Sequence, residues 1–155
     1  MKKIRLLAML VLVASLVLTL ASCFGGGVDD EGMAKIVIEY GENDYAVYEV
    51  DLEKIENKDN GAVGIFEYLK GLEDSDFTYV LNDTWLSSVC NLIPKGNQYV
   101  SIYTSVEEDF MVPTAEWPDV ATVEYDGEEL TASGVGLSDM TVADGAVILF
   151  RMESY

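Results

Sequence analysis

The chain has 155 residues, with 28 acidic and nine basic side chains, and half of its residues are hydrophobic. Its acidic balance repels nucleic acid, which excludes nucleic acid as an expected partner and makes anionic lipid headgroups a poor one. The absence of histidine excludes Ser-His-Asp and Cys-His catalysis and the usual zinc ligand sets.

The first 22 residues have the pattern of a secretory signal peptide. Basic side chains within residues 1–5 precede an apolar run over residues 6–20, and small residues follow that run. Every acidic residue lies after this segment, so its removal would leave six basic side chains against 28 acidic ones. An uncleaved transmembrane anchor is the alternative, because the apolar run is long enough for it.

A cysteine follows the small residues directly. The sequence Leu20-Ala21-Ser22-Cys23 resembles the lipobox of bacterial lipoproteins. The resemblance implies cleavage before Cys23 and a diacylglyceryl group on its thiol, which favours a processed lipoprotein over a membrane-spanning helix. Two acyl chains hold a protein on a membrane stably. We therefore expect a lipid-anchored protein on the extracytoplasmic face of the cell membrane.

The mature chain divides into a tether and one domain. Residues 23–33 contain a run of three glycines and a run of three acidic residues, which predicts a flexible tether. Residues 34–155 have the length and apolar content of a single globular domain. With Cys23 lipidated, Cys90 has no disulfide partner, and its apolar neighbours predict a small, buried and unreactive side chain.

The domain begins with the patterns of two strands and one helix. Residues 34–40 are rich in β-branched side chains and residues 45–52 alternate, which predicts an antiparallel hairpin. Residues 62–72 place apolar side chains at helical spacing, and Gly71 fits the end of this helix. The predicted buried face of the helix consists of Ala62, Ile65, Phe66, Leu69 and Leu72.

The rest of the domain is predicted to consist of strands and loops. The strands are expected over residues 77–82, 98–105, 121–125, 128–131 and 146–152. Asp126-Gly127 is a strong signal for a tight hairpin, and the apolar last strand is expected at the centre of its sheet. This order of elements predicts an α+β fold, a β-grasp-like mixed or antiparallel sheet with one short helix packed across a face.

Parts of the region between Lys35 and Glu153 resemble a known family. They are the helical segment 64–69, the aromatic strand 99–104 and the ending 140–150. These segments are similar to the domain of unknown function that resembles the C-terminal domain of transcobalamin, common on bacterial surface lipoproteins. The resemblance implies a β-grasp fold and a face that helps to hold a small molecule. Corrinoid binding is implied by analogy only, and because fold does not carry function, no cofactor is predicted.

Aromatic residues in or near loops are candidates for ligand or partner contact, because exposed aromatic side chains serve such surfaces. These candidates are Trp117, Trp85, Tyr103 and Tyr125. Core positions are the alternative for these aromatic residues, and Trp117, in the loop 113–118, is the one expected to be exposed. The glycine-rich loop 133–139 begins like a nucleotide-binding loop but lacks the long helix that should follow, so a turn is expected. It adds the candidates Gly134, Gly136 and Asp139.

Two acidic runs, residues 29–31 and 107–109, offer carboxylates that could hold calcium. Neither run has the spacing of a calcium loop, so we expect solvated charge and no metal site. Paired carboxylates leave a small hydrolase as a minor alternative, because no nucleophile–base signature is present.

The sequence thus predicts a lipid-anchored, non-enzymatic binding module of the cell envelope. Its expected partners are membrane lipid, through diacylglyceryl-Cys23, and either a small molecule or an envelope or transport protein. The alternative is a structural or adhesive envelope protein whose acidic face binds basic polymers or calcium.

Overall fold

The structure, a computed structural model, describes residues 26–155. The predicted signal peptide, residues 1–22, and the predicted lipidation site Cys23 lie outside the described residues. Among the described residues, no helix is both long and apolar enough to cross a bilayer. The elements are β1 (Met33–Gly41), β2 (Asp44–Asp51), α1 (Gly61–Gly71), β3 (Tyr79–Asn82), β4 (Trp85–Val89), β5 (Gln98–Thr104), β6 (Thr122–Tyr125), β7 (Glu128–Ala132) and β8 (Val147–Ser154).

Six strands form one mixed sheet in the order β2-β1-β8-β5-β7-β6, and β3 pairs with β4 in a separate two-stranded sheet. The neighbours β1 and β8 run parallel, whereas the other neighbouring pairs of the large sheet are antiparallel. The apolar last strand lies between β1 and β5, away from either edge, as its composition predicts. The α+β fold class, a β-grasp-like sheet with one short helix across a face, is confirmed.

The main core lies between α1 and one face of the large sheet. Phe66 of α1 is fully buried, and its ring centroid lies 4.9 Å from that of Phe77 and 5.3 Å from that of Phe150 on β8. Four of the five residues predicted on the buried face of the helix are buried, and Leu72 is not. The helix ends at Gly71, so Leu72 takes an extended backbone conformation and its side chain is exposed.

The large sheet curls so that its second face also buries apolar side chains. A smaller core on this face contains Val37 of β1, Tyr103 of β5, Leu130 of β7 and Leu149 of β8. The two edge strands of the sheet approach each other, as the rings of Tyr45 on β2 and Tyr125 on β6 show: they meet edge to face, with their centroids 5.2 Å apart. The β6–β7 hairpin therefore covers part of the face opposite to α1.

The hairpin predicted at Asp126-Gly127 is confirmed, whereas the strand β4 is present in the structure but is not predicted by the sequence. Asp126 and Gly127 have φ angles of 52° and 79°, the left-handed pair that a two-residue hairpin turn requires. The sequence predicts no strand between residues 82 and 98, yet β4 pairs with β3 through a turn at Asp83, whose φ is 55°. The dipeptide Asp83-Thr84 lacks the glycine that makes such turns recognisable in a sequence.

The part of the predicted tether that the structure describes is attached to the domain. Val28 is buried, donates its backbone N–H to the Lys58 carbonyl at 2.9 Å, and pairs with Val142. The Lys58 ammonium donates to the carbonyls of Asp29 and Asp30 at 3.0 and 2.9 Å. Residues 28–30 of the predicted flexible tether, residues 23–33, are therefore held against the domain, because an apolar side chain and backbone pairing offset the lost chain entropy.

Cys90 is half-buried rather than buried. It follows β4 in a left-handed conformation, with φ of 48°, and its thiol sulfur lies 3.7 Å from the Tyr48 hydroxyl. The turn places the side chain at the margin of the main core, where one side stays accessible. Its reactivity remains a prediction.

Candidate functional site

Three loops meet at one place on the surface, and together they carry five of the seven residues predicted for ligand or partner contact. These loops, which we name the tryptophan loop cluster, are residues 83–85, 110–118 and 133–139. The central loop is 133–139, since Gly134 lies against the backbone of Met111 and Gly136 lies against the Thr84 carbonyl. The five predicted residues that the cluster contains are Trp85, Trp117, Gly134, Gly136 and Asp139.

Both tryptophans of the chain lie in the cluster and are largely exposed. Trp85 is 79% exposed at the start of β4, directly after the turn at Asp83. Trp117 is 69% exposed and closes a short turn, in which the Thr114 N–H donates to the Trp117 carbonyl at 2.9 Å. The Thr114 hydroxyl in return accepts the Trp117 N–H at 3.1 Å, so the turn is fixed while the indole ring remains in solvent.

Gly134 allows the central loop to pass directly beside the segment that leads to Trp117. A Cβ atom at this position would lie 2.9 Å from Cα of Met111, closer than side-chain atoms approach. The Gly134 N–H donates to the Asp109 carbonyl at 2.8 Å, and the Met111 N–H donates to the Ala132 carbonyl at the same distance. Backbone hydrogen bonds therefore hold the two loops together at their bases.

Asp109 fixes the same region from inside. Its side chain is only 3% exposed, and its carboxylate accepts the Thr141 N–H at 2.7 Å. Burial raises the pKa of Asp109 above its usual value, and the hydrogen bond from Thr141 opposes that rise. The prediction of solvated charge is wrong for this residue, whereas the neighbouring Glu107 and Glu108 are exposed. Because all three residues of this turn, 107–109, are acidic, the sequence does not show which carboxylate faces inward.

The structure places the other two predicted contact residues, Tyr103 and Tyr125, on the second face of the sheet. Tyr103 is 2% exposed and donates its hydroxyl hydrogen to the Glu153 carboxylate. Burial, and then this carboxylate, raise the pKa of Tyr103 to about 12. Tyr125 is half-buried against Tyr45. Neither side chain belongs to the tryptophan loop cluster, and Tyr103 is a core residue.

A polar group on this second face was missed by the sequence reasoning. The Arg151 guanidinium lies 3.4 Å from the Glu39 carboxylate and 3.8 Å from that of Glu153, which also accepts hydrogen bonds from Tyr99 and Tyr103. The alternation of side chains along β8 was the available signal, because residues 147, 149, 151 and 153 point to one face. The group joins β1, β5 and β8 across the sheet.

Two concave regions lie outside the cluster. A cleft of about 310 Å³ opens at the beginnings of β1 and β8, between Lys35, Glu49, Glu128 and Asp144. The Asp144 carboxylate in this cleft already accepts the Met33 N–H at 2.9 Å. A groove of about 350 Å³ runs along the outer side of α1 beside Tyr68 and Leu72. Within residues 26–155, no three carboxylate or thiol groups converge in the way that a metal site requires.

Comparison with known proteins gives no family assignment. No family model matches the chain, and no curated protein is similar to it. The resemblance to the transcobalamin-type domain therefore stays a prediction. The candidate site depends on its own geometry: two exposed indole rings on loops that are braced by backbone hydrogen bonds and by one buried carboxylate.

Proposed function

We propose that the protein is a lipid-anchored, non-enzymatic binding module on the extracytoplasmic face of the cell membrane. Diacylglyceryl-Cys23 would hold it there, and the tryptophan loop cluster would make the contact with its partner. The single observation that supports this proposal is the exposure of both tryptophans, Trp85 and Trp117, on segments that contact one braced glycine-rich loop through Thr84 and Met111.

Exposed tryptophans favour a contact surface on energetic grounds. Each indole ring can bury roughly 150–250 Å² of mostly apolar surface when a partner covers it. Burial of apolar surface contributes about 25 cal/mol per Å², so two rings can supply much of the free energy of a specific contact. Tryptophan is accordingly over-represented among the residues that dominate binding energies at interfaces.

The bracing of the loops favours binding in a second way. A loop that is already ordered loses little conformational entropy when it binds. The hydrogen bonds of the Thr114–Trp117 turn, and those that Asp109 makes with Gly134 and Thr141, order the cluster without a partner. Rigid display of apolar side chains is what a binding surface requires, whereas solubility alone would favour polar loops.

The proposed partner is an envelope or transport protein or a small molecule. The second candidate, a structural or adhesive protein that binds basic polymers, has support from the carboxylates Glu49 and Glu128 at the cleft, which take part in none of the ion pairs within residues 26–155. These two candidates use different surfaces. Variants of the tryptophans therefore separate them from variants of the cleft.

The test is capture of partners from native membranes with the lipidated, full-length protein. Mass spectrometry of that protein first establishes whether Cys23 carries the diacylglyceryl group and is the first residue. We expect Trp85→Ala and Trp117→Ala each to weaken capture by roughly tenfold, as loss of about 1.4 kcal/mol of binding free energy would. Tyr155→Ala, at an exposed aromatic residue outside the cluster, is the matched control and should change nothing.

Two outcomes would contradict the proposal. An unmodified thiol at Cys23 on a chain that keeps residues 1–22 would remove the anchor. Undiminished capture by both tryptophan variants, together with loss in a Glu49→Gln, Glu128→Gln double variant, would favour the adhesive candidate. A thermal-shift panel that includes corrinoids tests the small-molecule form of the proposal on the same proteins.

A further inference from the structure

We infer that the tryptophan loop cluster faces the bilayer, and that Trp85, Val112 and Trp117 lie in the interfacial region of uncharged lipid. This inference rests on the proposed lipidation of Cys23, and it names the partner that the tips of the cluster contact first. Three features of the molecule support it: the length of chain that joins the anchor to the domain, the place where that chain leaves the domain, and the chemistry of the loops nearby.

The chain between the anchor and the domain is short. Only the residues 24 and 25 separate Cys23 from Gly26, and three residue steps of fully extended chain span at most about 11 Å. Beyond Gly26 the chain is held, because Val28 donates its backbone N–H to the Lys58 carbonyl and Asp29 donates its own to the Val142 carbonyl, both at 2.9 Å. The domain surface at Gly26 therefore stays within about 11 Å of the lipidated residue.

The chain leaves the domain beside the tryptophan loop cluster. Gly26 lies directly against the Asp139 backbone, where a Cβ atom would overlap the carbonyl group. Asp139 donates its N–H to the Gly136 carbonyl at 3.0 Å, and Gly136 in turn lies against Thr84, the residue before Trp85. Because each step is one contact or one 3-10 turn, Trp85 lies within roughly 20 Å of Gly26.

The exposed side chains of the cluster suit the boundary between lipid and water. Trp85 and Trp117 are accompanied by Val112, which is 75% exposed, and by Met111. Tryptophan concentrates at membrane interfaces because its ring is largely apolar while its N–H prefers a polar partner. Short loops with apolar tips can enter this region while the hydrogen-bonded loop bases stay in water.

The charge of the cluster selects the kind of lipid. Segments 83–85, 110–118 and 133–139 contain no lysine or arginine, and they carry the three acidic residues Asp83, Glu116 and Asp139. An anionic membrane surface would repel these carboxylates, whereas a zwitterionic surface would not. The cluster therefore fits uncharged or zwitterionic headgroups, and contact should weaken as the fraction of anionic lipid rises.

The experiment is fluorescence of the lipidated full-length protein in phosphatidylcholine vesicles. Trp85 and Trp117 are the only tryptophans of the chain, so the emission reports on the cluster alone. We expect the tryptophan emission to lie at shorter wavelength in vesicles than in detergent-free solution. We also expect aqueous acrylamide to lose its quenching of this emission, and lipids brominated near the headgroup to quench it. Trp85→Phe and Trp117→Phe assign the signal to each loop while an aromatic ring is kept.

Two matched controls test the steps of the inference. A flexible Gly-Ser insertion of twelve residues between residues 25 and 26 lengthens the chain to the anchor, and we expect the tryptophans to return toward acrylamide accessibility. Replacing half of the phosphatidylcholine by phosphatidylglycerol should reduce the quenching by brominated lipid at low salt, and added NaCl should restore it.

The outcomes separate this inference from the proposed function. Protein that does not sediment with vesicles lacks a working anchor, and the proposed function fails together with the inference. Protein that sediments with vesicles but keeps solvent-exposed tryptophans overturns the inference alone. Tryptophans that become protected only when an envelope protein is added would also overturn it, because the cluster would then face a protein partner.

Discussion

Asp109 is the residue whose environment departs most from that of its sequence neighbours, and it allows a test of pH dependence. Burial raises its pKa in the folded protein above the value of 3.8 for the unfolded chain, so the folded state binds the proton more tightly. Protonation of Asp109 therefore makes its full contribution to the free energy of unfolding below pH 3.8, and this contribution is lost as the pH rises through the pKa of the folded state.

Two substitutions at Asp109 test this dependence of stability on pH. In Asp109→Asn, the amide oxygen can still accept the Thr141 N–H and no charge is buried, so its stability relative to the native protein should increase from pH 4 to pH 7. In Asp109→Ala, the part-buried Thr141 N–H loses its acceptor, and the free energy of unfolding should fall by about 1–3 kcal/mol. Urea unfolding at several pH values measures both effects.

Glu107→Gln is the control for the change in net charge, because Glu107 is exposed on the same 3-10 turn. Its stability relative to the native protein should show a much weaker dependence on pH. Equal pH profiles for Asp109→Asn and Glu107→Gln would mean that general charge repulsion, and not burial of Asp109, accounts for the effect.

At the scale of elements, the position of α1 depends on a close approach at Gly64. A Cβ atom at Gly64 would overlap the Asn57 carbonyl and would lie 3.5 Å from Cγ2 of Ile55, so the helix packs directly on the preceding loop. Alanine favours helix by up to about 1 kcal/mol over glycine, but here the backbone would have to move. We expect Gly64→Ala to lower the free energy of unfolding by about 1–3 kcal/mol, the usual cost of overpacking.

Gly71 supplies the control on the same helix. It is the last residue of α1, and a Cβ atom there would meet nothing within 4 Å. Gly71→Ala should be neutral or stabilising by less than about 1 kcal/mol, because alanine restricts the unfolded chain. Chemical denaturation of both variants provides the comparison. A Gly64→Ala protein as stable as Gly71→Ala would show that the loop over residues 55–57 yields without cost.

The sequence predicts those elements that depend on local patterns, and it does not predict those that depend on long-range packing. The helix, the two hairpins at residues 41–44 and 126–127, and the central last strand follow from local patterns, because each pattern matches one element. The strand β4, the contact of Val28 with Val142, and the meeting of Tyr45 with Tyr125 depend on long-range packing. For this reason the sequence predicts exposed aromatic loops but cannot tell that Trp85 joins them while Tyr103 is buried.

At the scale of the whole molecule, unbalanced negative charge is the dominant electrostatic feature. Within residues 26–155, the ion pairs involve the basic residues Lys54, Lys58 and Arg151, so most carboxylates have no cationic partner. Mutual repulsion of such charges destabilises a compact state. The curl of the sheet increases this effect where it brings Glu49 of β2 and Glu128 of β7 to the same cleft.

Salt should therefore stabilise the fold without a specific ion. Raising NaCl from 0.01 to 0.1 M shortens the screening length from about 30 Å to about 10 Å, and we expect the melting temperature to rise. Because no three carboxylates converge within residues 26–155, calcium and magnesium at equal millimolar concentration should raise it equally. Differential scanning calorimetry at matched ionic strength measures the three ions. Only a preferred coordination geometry distinguishes the two divalent ions. A rise in melting temperature specific to calcium would therefore contradict this prediction, and it would favour an adhesive protein that bridges through calcium.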